Sequence, residues 1–264
     1  MLNLILVIVI ITYVCKLLTL SFGNFLLRPI LMGPVVGLLL GDLENGLLFG
    51  GYLEIVFLGF FGVGGAPPPE AELSGVVAVA CAIDQGQQFA GVLASGLITG
   101  YCGLLLFMKV VKPFSSKMAV KEQADILAGN ITGFENKHRL VIGMVPLFYV
   151  PLALLLAVVF IYGLFPLMEL LPDSVTTFLA VFALMYPAVG LANLVKNELN
   201  RDALPFLILG FGVAGYLGTG SMVVLLLSGI VAYGLIYLVK ESTKTAVTVD
   251  KNLTGAEEDE DDFF

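Results

Sequence analysis

Residues 89–111 read FAGVLASGLITGYCGLLLFMKVV, twenty-three positions that carry a single charge, Lys109. A bilayer core is about 30 Å thick, and a helix rising about 1.5 Å per residue crosses it in roughly 20 apolar residues. Met1–Leu20, Leu140–Phe165, Val175–Val195 and Leu204–Val239 have the same character, and the last is long enough to fold as a hairpin about Gly218–Ser221. Over all 264 residues, 58% are hydrophobic and 13% charged, with mean hydropathy +0.99. Soluble domains run about 45–50% apolar and about 25% charged, and a soluble chain this apolar would expose large sticky patches. Backbone facing lipid must satisfy its hydrogen bonds within its own segment. The sequence therefore predicts an all-α polytopic membrane protein.

Charge orients the segments. The formal net charge is −8, but six acids fall in the terminal run Glu257–Asp262, so the rest is close to neutral; that run reads as a solvated, disordered tail. Lys109, Lys112, Lys117, Lys121, Lys137 and Arg139 cluster around the one long polar interior stretch, Lys112–Arg139, and Lys240, Lys244 and Lys251 follow the last apolar run. The breaks at Pro67–Gln88 and Pro166–Thr177 hold no Lys or Arg. Cytoplasmic loops are enriched in these bases, so the central stretch and the C-terminus are expected in the cytoplasm and Pro166–Thr177 outside. The N-terminus lacks a basic leader and a small-residue cleavage site, so it is expected to stay as a membrane segment.

The first half is built differently. Ile30–Gly65 is apolar but crowded with glycine and interrupted by Asp42, Glu44, Asn45 and Glu54, and Leu73–Ile83 is apolar but short. Short, broken segments of this kind are the mark of re-entrant or discontinuous helices, and the second half is expected to hold regular transmembrane helices. Gly33, Gly37 and Gly41 are four apart, and Gly46 and Gly50 repeat the spacing. Such a strip lets another backbone approach closely, which is helix packing by itself. The acids beside it raise a second reading. A carboxylate at mid-bilayer costs on the order of 2.5–3.5 kcal/mol on insertion scales, a cost that marks a cavity or a partner. Glu54 has only apolar neighbours in sequence and no nearby base, so it is a candidate for a polar solute. Asp42 follows Gly41 and either caps a helix or joins the site. Steps of four drift about 40° each on a helix, leaving Asp42 and Glu54 about 120° apart. The breakpoint Gly62-Val-Gly-Gly-Ala-Pro-Pro-Pro69-Glu70 joins glycine freedom to a stiff proline triplet. Breakpoints of this kind line substrate sites in transporters, and the carboxylate of Glu70 suits sugar hydroxyls; an exposed outer loop is the competing reading.

Other chemistry finds little support. Cys15, Cys81 and Cys102 show no CxxC pair or zinc spacing. The chain has no GxxxxGK[ST] loop, no HExxH and no GxSxG. The single histidine, His138, sits between Lys137 and Arg139 in the polar stretch with no carboxylate beside it in sequence, and is expected to be solvated. No catalytic group, cofactor, metal or nucleic acid is expected.

The run Arg28-Pro29, Gly37, Leu40-Gly41-Asp42, Gly46, Gly50-Gly51, Glu54 and Leu58-Gly59 resembles the signature of enzyme IIC of the mannose/fructose/sorbose-family phosphotransferase system, and Pro205-Phe206 with Leu209-Gly210-Phe211 resembles a later stretch of that family. Glu54 matches the acid of the family's GG..E pattern, Glu70 stands where many relatives carry aspartate, and Gly62 where some carry asparagine. The resemblance implies a multi-pass permease of the bacterial cell membrane, surrounded by lipid. It implies a IID membrane subunit as partner, phosphoryl transfer from phosphoenolpyruvate through separate IIA and IIB proteins, phosphorylated IIB acting on the cytoplasmic side, and assembly of several IIC–IID pairs. It also implies elevator-like movement of a core domain and a sugar of the mannose, fructose, sorbose or N-acetylgalactosamine class. The expected substrate-binding set is Glu54, Glu70, Gly62, Pro69 and Asp42. The expected organisation is a glycine-rich membrane half over 1–111, a cytoplasmic basic loop over 112–139, a second membrane half over 140–240 and an acidic tail over 241–264. An ion-coupled secondary transporter of a polar solute is the alternative, since broken helices and intramembrane acids suit it equally.

Overall fold

The structure, a computed structural model, describes residues 2–23, 27–60, 62, 66–198, 203–216, 223–224 and 226–234. Among these there are helices and no strands. The helices are α1 (Leu2–Phe22), α2 (Pro29–Leu40), α3 (Leu43–Phe57), α4 (Ala71–Asp84), α5 (Phe89–Leu106), α6 (Lys112–Leu127), α7 (Ile131–Val159), α8 (Phe165–Glu169), α9 (Asp173–Met185), α10 (Pro187–Glu198) and α11 (Leu204–Tyr216). The expected hairpin about Gly218–Ser221 and the acidic tail lie outside the described residues. The chain divides into two compact units, Met1–Asn197 and Glu198–Phe264. In the second, α11 has no buried residue.

Four helical runs among the described residues are long and apolar enough to cross a membrane: Leu2–Phe22, Phe89–Leu127, Ile131–Glu169 and Asp173–Lys196. The second and third are compound. A π-helical turn at Phe107–Val111 joins α5 to α6, and another at Phe160–Leu164 joins α7 to α8. Each turn is followed two residues on by a proline, Pro113 or Pro166, whose ring and missing N–H disturb a regular ladder.

By contrast α2, α3 and α4 have 12, 15 and 14 residues. At about 1.5 Å per residue they are roughly 18–22 Å long, short of the bilayer core. Arg28 is extended and Pro29 opens α2 at a position where its missing N–H costs nothing. Gly41 ends α2 in the left-handed region (φ +84°), and the Asp42 N–H bonds Gly37 O at 2.8 Å. Asp42 then caps α3, its carboxylate accepting from the Asn45 N–H at 3.1 Å and from Asn45 Nδ2 at 2.7 Å. Two residues thus close one helix and open the next. The hairpin packs backbone against backbone: a Cβ on Gly37 would lie 2.7 Å from Gly46 Cα, and one on Gly33 would lie 2.5 Å from Gly50 Cα. The glycine strip is a packing device.

At the centre of the first unit is α4, buried throughout Leu73–Ala82 and packed on α1, α2, α3, α5 and α7. Its small residues admit those neighbours; a Cβ on Gly75 would come within 2.8 Å of Pro29 Cα. The Ser74 hydroxyl donates to Gly96 O at 2.8 Å, so this buried polar group is satisfied. Helices from both sides of the polar interior stretch share this core, since α1 and α4 both pack on α7.

The stretch expected as a basic loop is helical. α6 and the start of α7 form a hairpin whose turn uses Gly129 (φ +72°) and an Asn130 cap on the Gly133 N–H at 3.0 Å. Asp125 pairs with Lys137, and Arg139 meets Glu135 at 3.2 Å. Polarity alone was a poor guide to a loop here, because a helix that is polar around its girth can be sustained by such pairs. Phe89–Leu127 has 39 residues, about 58 Å, so its α6 end extends well past a core of about 30 Å.

Candidate functional site

Glu54 lies in the last turn of α3 and is 9% exposed. A base does approach it, from a distant point in sequence: Arg28 Nε, just before α2, donates to Glu54 Oε1, and the Ile30 N–H reaches Oε2 at 3.4 Å. The expectation of an acid without a basic neighbour is therefore corrected. The hairpin folds α3 back along α2, which brings residue 54 to residue 28. Arg28 Nη2, in turn, is shielded from solvent and has no hydrogen-bond partner.

A second buried group of charges surrounds the start of α4. Lys16 of α1, 4% exposed, pairs with both Glu70 and Glu72, the latter at 2.7 Å. Tyr149 of α7 donates its hydroxyl to Glu70 Oε1 at 2.9 Å, and the Lys16 ammonium lies 4.1 Å from the centre of the same ring. The Glu70 N–H donates to Gly100 O at 3.0 Å, and a Cβ on Gly103 would meet Glu70 Cβ at 2.7 Å. Three helices, α1, α5 and α7, thus fix Glu70, and α1 also holds Glu72. Glu72 and Lys16 were not singled out from sequence. Lys16 appears there only as a charge near the end of an apolar run, and only the fold shows that it is buried among acids.

Between these two groups is a hollow of about 40 Å³, lined by Arg28, Phe57, Phe60, Pro68, Pro69 and Glu72, with Ala71 completing it. One water occupies about 30 Å³ of liquid, so the hollow accepts a hydroxyl-sized group and no sugar ring. Of the expected set, Pro69 lines it. Glu54 and Glu70 do not; they hold Arg28 from one side and join Lys16 on the other. Gly62 is exposed, and a Cβ there would make only ordinary 3.4 Å contacts. Asp42, the cap of α3, instead lines a hollow of about 140 Å³ together with Gln87 and Gln88, which follow the C-terminal end of α4. The structure therefore does not gather the five residues at one point.

His138 is stacked on Phe134, with ring centres 5.7 Å apart, and its Nδ1 lies 3.8 Å from Glu122 Oε1. It has a carboxylate neighbour that its place in sequence did not reveal, and it belongs to the α6–α7 hairpin, away from the hollow. Among the described residues no group of three or more His, Cys, Asp or Glu is placed to hold a metal.

Residues 2–234 match the family model described as the sorbose-specific IIC component of the phosphotransferase system. The fructose permease IIC component of Bacillus subtilis (strain 168) is 30% identical over 192 residues, covering 72% of this chain and 70% of its own length. A solved structure titled as a membrane protein superposes with TM-score 0.77 at 22% identity, covering 89% of this chain and 95% of that one. The cryo-EM structure of the mannose transporter ManYZ with microcin E492 gives 0.56 at 22% identity, over 90% and 96%. These two superpositions bear on the fold, which they place among membrane proteins. By the extent of the family match and the identity to a relative aligned over more than two thirds of both chains, this chain belongs to the sorbose-specific IIC component family of the phosphotransferase system.

Proposed function

We propose that this IIC component is the sugar-translocating subunit of a phosphoenolpyruvate-driven transporter and that sugar passes through the hollow between Arg28 and Glu72. The observation that carries the site is the orphaned Arg28 Nη2. A shielded guanidinium N–H without a partner loses a charge-assisted hydrogen bond, and Arg28 shares the lining of the hollow with Glu72. A sugar hydroxyl both accepts and donates, so it can take a bond from Arg28 and give one to Glu72. Phe57 and Phe60 offer apolar faces for a sugar ring, and Pro68 and Pro69 share the lining with them. In this arrangement Glu54 and Glu70 position the contacting groups, and a hexose is admitted when the aromatic and proline walls separate. The short α2–α3 hairpin is read as re-entrant.

The remaining assignments follow family membership. A IID subunit accompanies the chain, several such pairs assemble in the lipid of the cell membrane, and phosphorylated IIB serves the cytoplasmic face. The phosphoryl chemistry belongs to IIA and IIB, so this subunit contributes translocation and no catalysis of its own. The transported sugar is a hexose or amino-hexose of the mannose, fructose, sorbose or N-acetylgalactosamine class. The α6–α7 hairpin and the C-terminus face the cytoplasm. The divisions at 1–111, 112–139, 140–240 and 241–264 stand as functional regions within this scheme.

Arg28→Lys tests the site, because it keeps a positive charge for Glu54 and deletes the second guanidinium nitrogen. A hydrogen bond to a charged group is worth about 1.5–3 kcal/mol, so phosphoenolpyruvate-driven uptake should fall roughly tenfold to a hundredfold in kcat/KM while the IIC–IID complex still assembles. Glu72→Gln should also lower uptake. Wild-type uptake by both variants would remove the hollow from the transport path.

A further inference from the structure

At the C-terminal end of α4 the bundle opens into two adjoining hollows. The larger, about 440 Å³, is lined by Gln87, Gln88, Glu169, Thr176 and Thr177 together with small and apolar residues. The smaller, about 140 Å³, shares Gln87 and Gln88 and adds Asp42 and Asn45. Sites for small molecules occupy about 300–1,000 Å³, a range that includes the larger hollow and excludes the one beside Arg28.

The lining chemistry is specific. It offers two amides, two hydroxyls and one carboxylate in the larger hollow, with no Lys or Arg in either. Such a surface suits a neutral, hydroxyl-rich ligand and gives an anion no counter-charge. The two glutamines are available for a ligand: neither side-chain amide has a hydrogen-bond partner within the described residues. Gln87 is also seated. It lies on the bare face of Gly91, where a Cβ would come within 2.8 Å of Gln87 Oε1 and 3.1 Å of its Cβ. Gly91 thus sets where this amide sits. Thr176 already donates to Asp173 O at 3.0 Å, which leaves its oxygen as an acceptor.

We infer that this end of α4 is a second carbohydrate site, which captures free sugar before it moves to the hollow at the other end. α4 has 14 residues, so the two sites are separated by about 21 Å along the helix. The hollows at this end offer amides, hydroxyls and carboxylates with no Lys or Arg, and take sugar without its phosphate; the hollow at the start of α4 presents Arg28. The inference rests on the sugar-transport reading above.

The test is phosphoenolpyruvate-driven uptake by the IIC–IID complex in vesicles, with fructose, mannose, sorbose and N-acetylgalactosamine as probes. The variants are Gln87→Ala/Gln88→Ala, which removes both free amides, and Gly91→Ala, which displaces Gln87 without deleting it. The expected result for each is a KM raised about tenfold with the maximal rate within about twofold of wild type. An unchanged KM in the double glutamine variant would overturn the inference. Should Gly91→Ala fail to insert, the glutamine pair decides alone, since it gives up no hydrogen bond of the fold. A wild-type complex that carries none of the four sugars would overturn both this inference and the transport reading. Glutamine variants that match a transporting wild type would overturn this inference only.

Discussion

Replacing Gly46 by alanine should weaken the protein, and replacing Gly51 five residues away should not. A Cβ on Gly46 would lie 2.6 Å from Gly33 O, 2.7 Å from Gly37 Cα and 3.0 Å from Gly37 N. All three are backbone atoms, so no side chain can swing aside. Carbon atoms pack at about 3.5–4.0 Å, and the α2–α3 hairpin would have to part by about 1 Å at this level. Overpacking of this kind costs about 1–3 kcal/mol, against which alanine returns about 0.5–1 kcal/mol of helix propensity over glycine. The net expectation is a loss of about 1–2 kcal/mol. A Cβ on Gly51 has nothing within 4 Å, so that alanine keeps the propensity gain and meets no clash. The two variants should therefore differ by roughly 2 kcal/mol in opposite directions around wild type. Thermal melting of the purified IIC–IID complex, followed through the loss of helical circular dichroism, measures this. A Gly46→Ala protein as stable as Gly51→Ala would refute the backbone-to-backbone packing of the hairpin, and with it the route by which Glu54 reaches Arg28.

Lys16→Met should destabilise by about 3–5 kcal/mol, because it strands two buried carboxylates without their cation; adding Glu70→Gln and Glu72→Gln to that variant should recover part of the loss in the same melting assay. Tyr149→Phe removes one donor from Glu70 and should cost about 2 kcal/mol, with the ring contact to Lys16 kept. His138→Ala should leave sugar uptake unchanged, since the residue belongs to the polar hairpin; loss of uptake in this variant would move the functional site.

The class of fold was legible in the sequence because apolar length is a one-dimensional property, and runs such as 89–111 carry it whole. The glycine strip was legible too, since Gly33, Gly37, Gly46 and Gly50 announce close backbone approach wherever their partner is. Asp42 was half legible: its place after Gly41 suggested a cap, which it is, but not that it would border Gln87 and Gln88. The charge pairs were not legible. Arg28 and Glu54 are 26 positions apart, and Lys16 and Glu72 are 56 apart, with no period connecting them. Which acid meets which base depends on how the helices stack. Glu54 could be recognised as unusual from its apolar surroundings and Glu70 from the glycine–proline breakpoint before it, whereas their engagement by Arg28 and Lys16 required the fold. The α6–α7 hairpin was not legible because its sequence is polar, and the ion pairs that sustain such a helix, Asp125 with Lys137 and Glu135 with Arg139, form only once it has folded.

The most direct test of the central claim follows the sugar itself. Vesicles bearing this subunit with its IID partner are loaded with phosphoenolpyruvate and the soluble phosphotransferase proteins, and the form of the labelled sugar inside is determined. Accumulation as sugar phosphate, abolished when phosphoenolpyruvate is omitted, is the predicted result. Accumulation of free sugar driven by an ion gradient without phosphoenolpyruvate would contradict it.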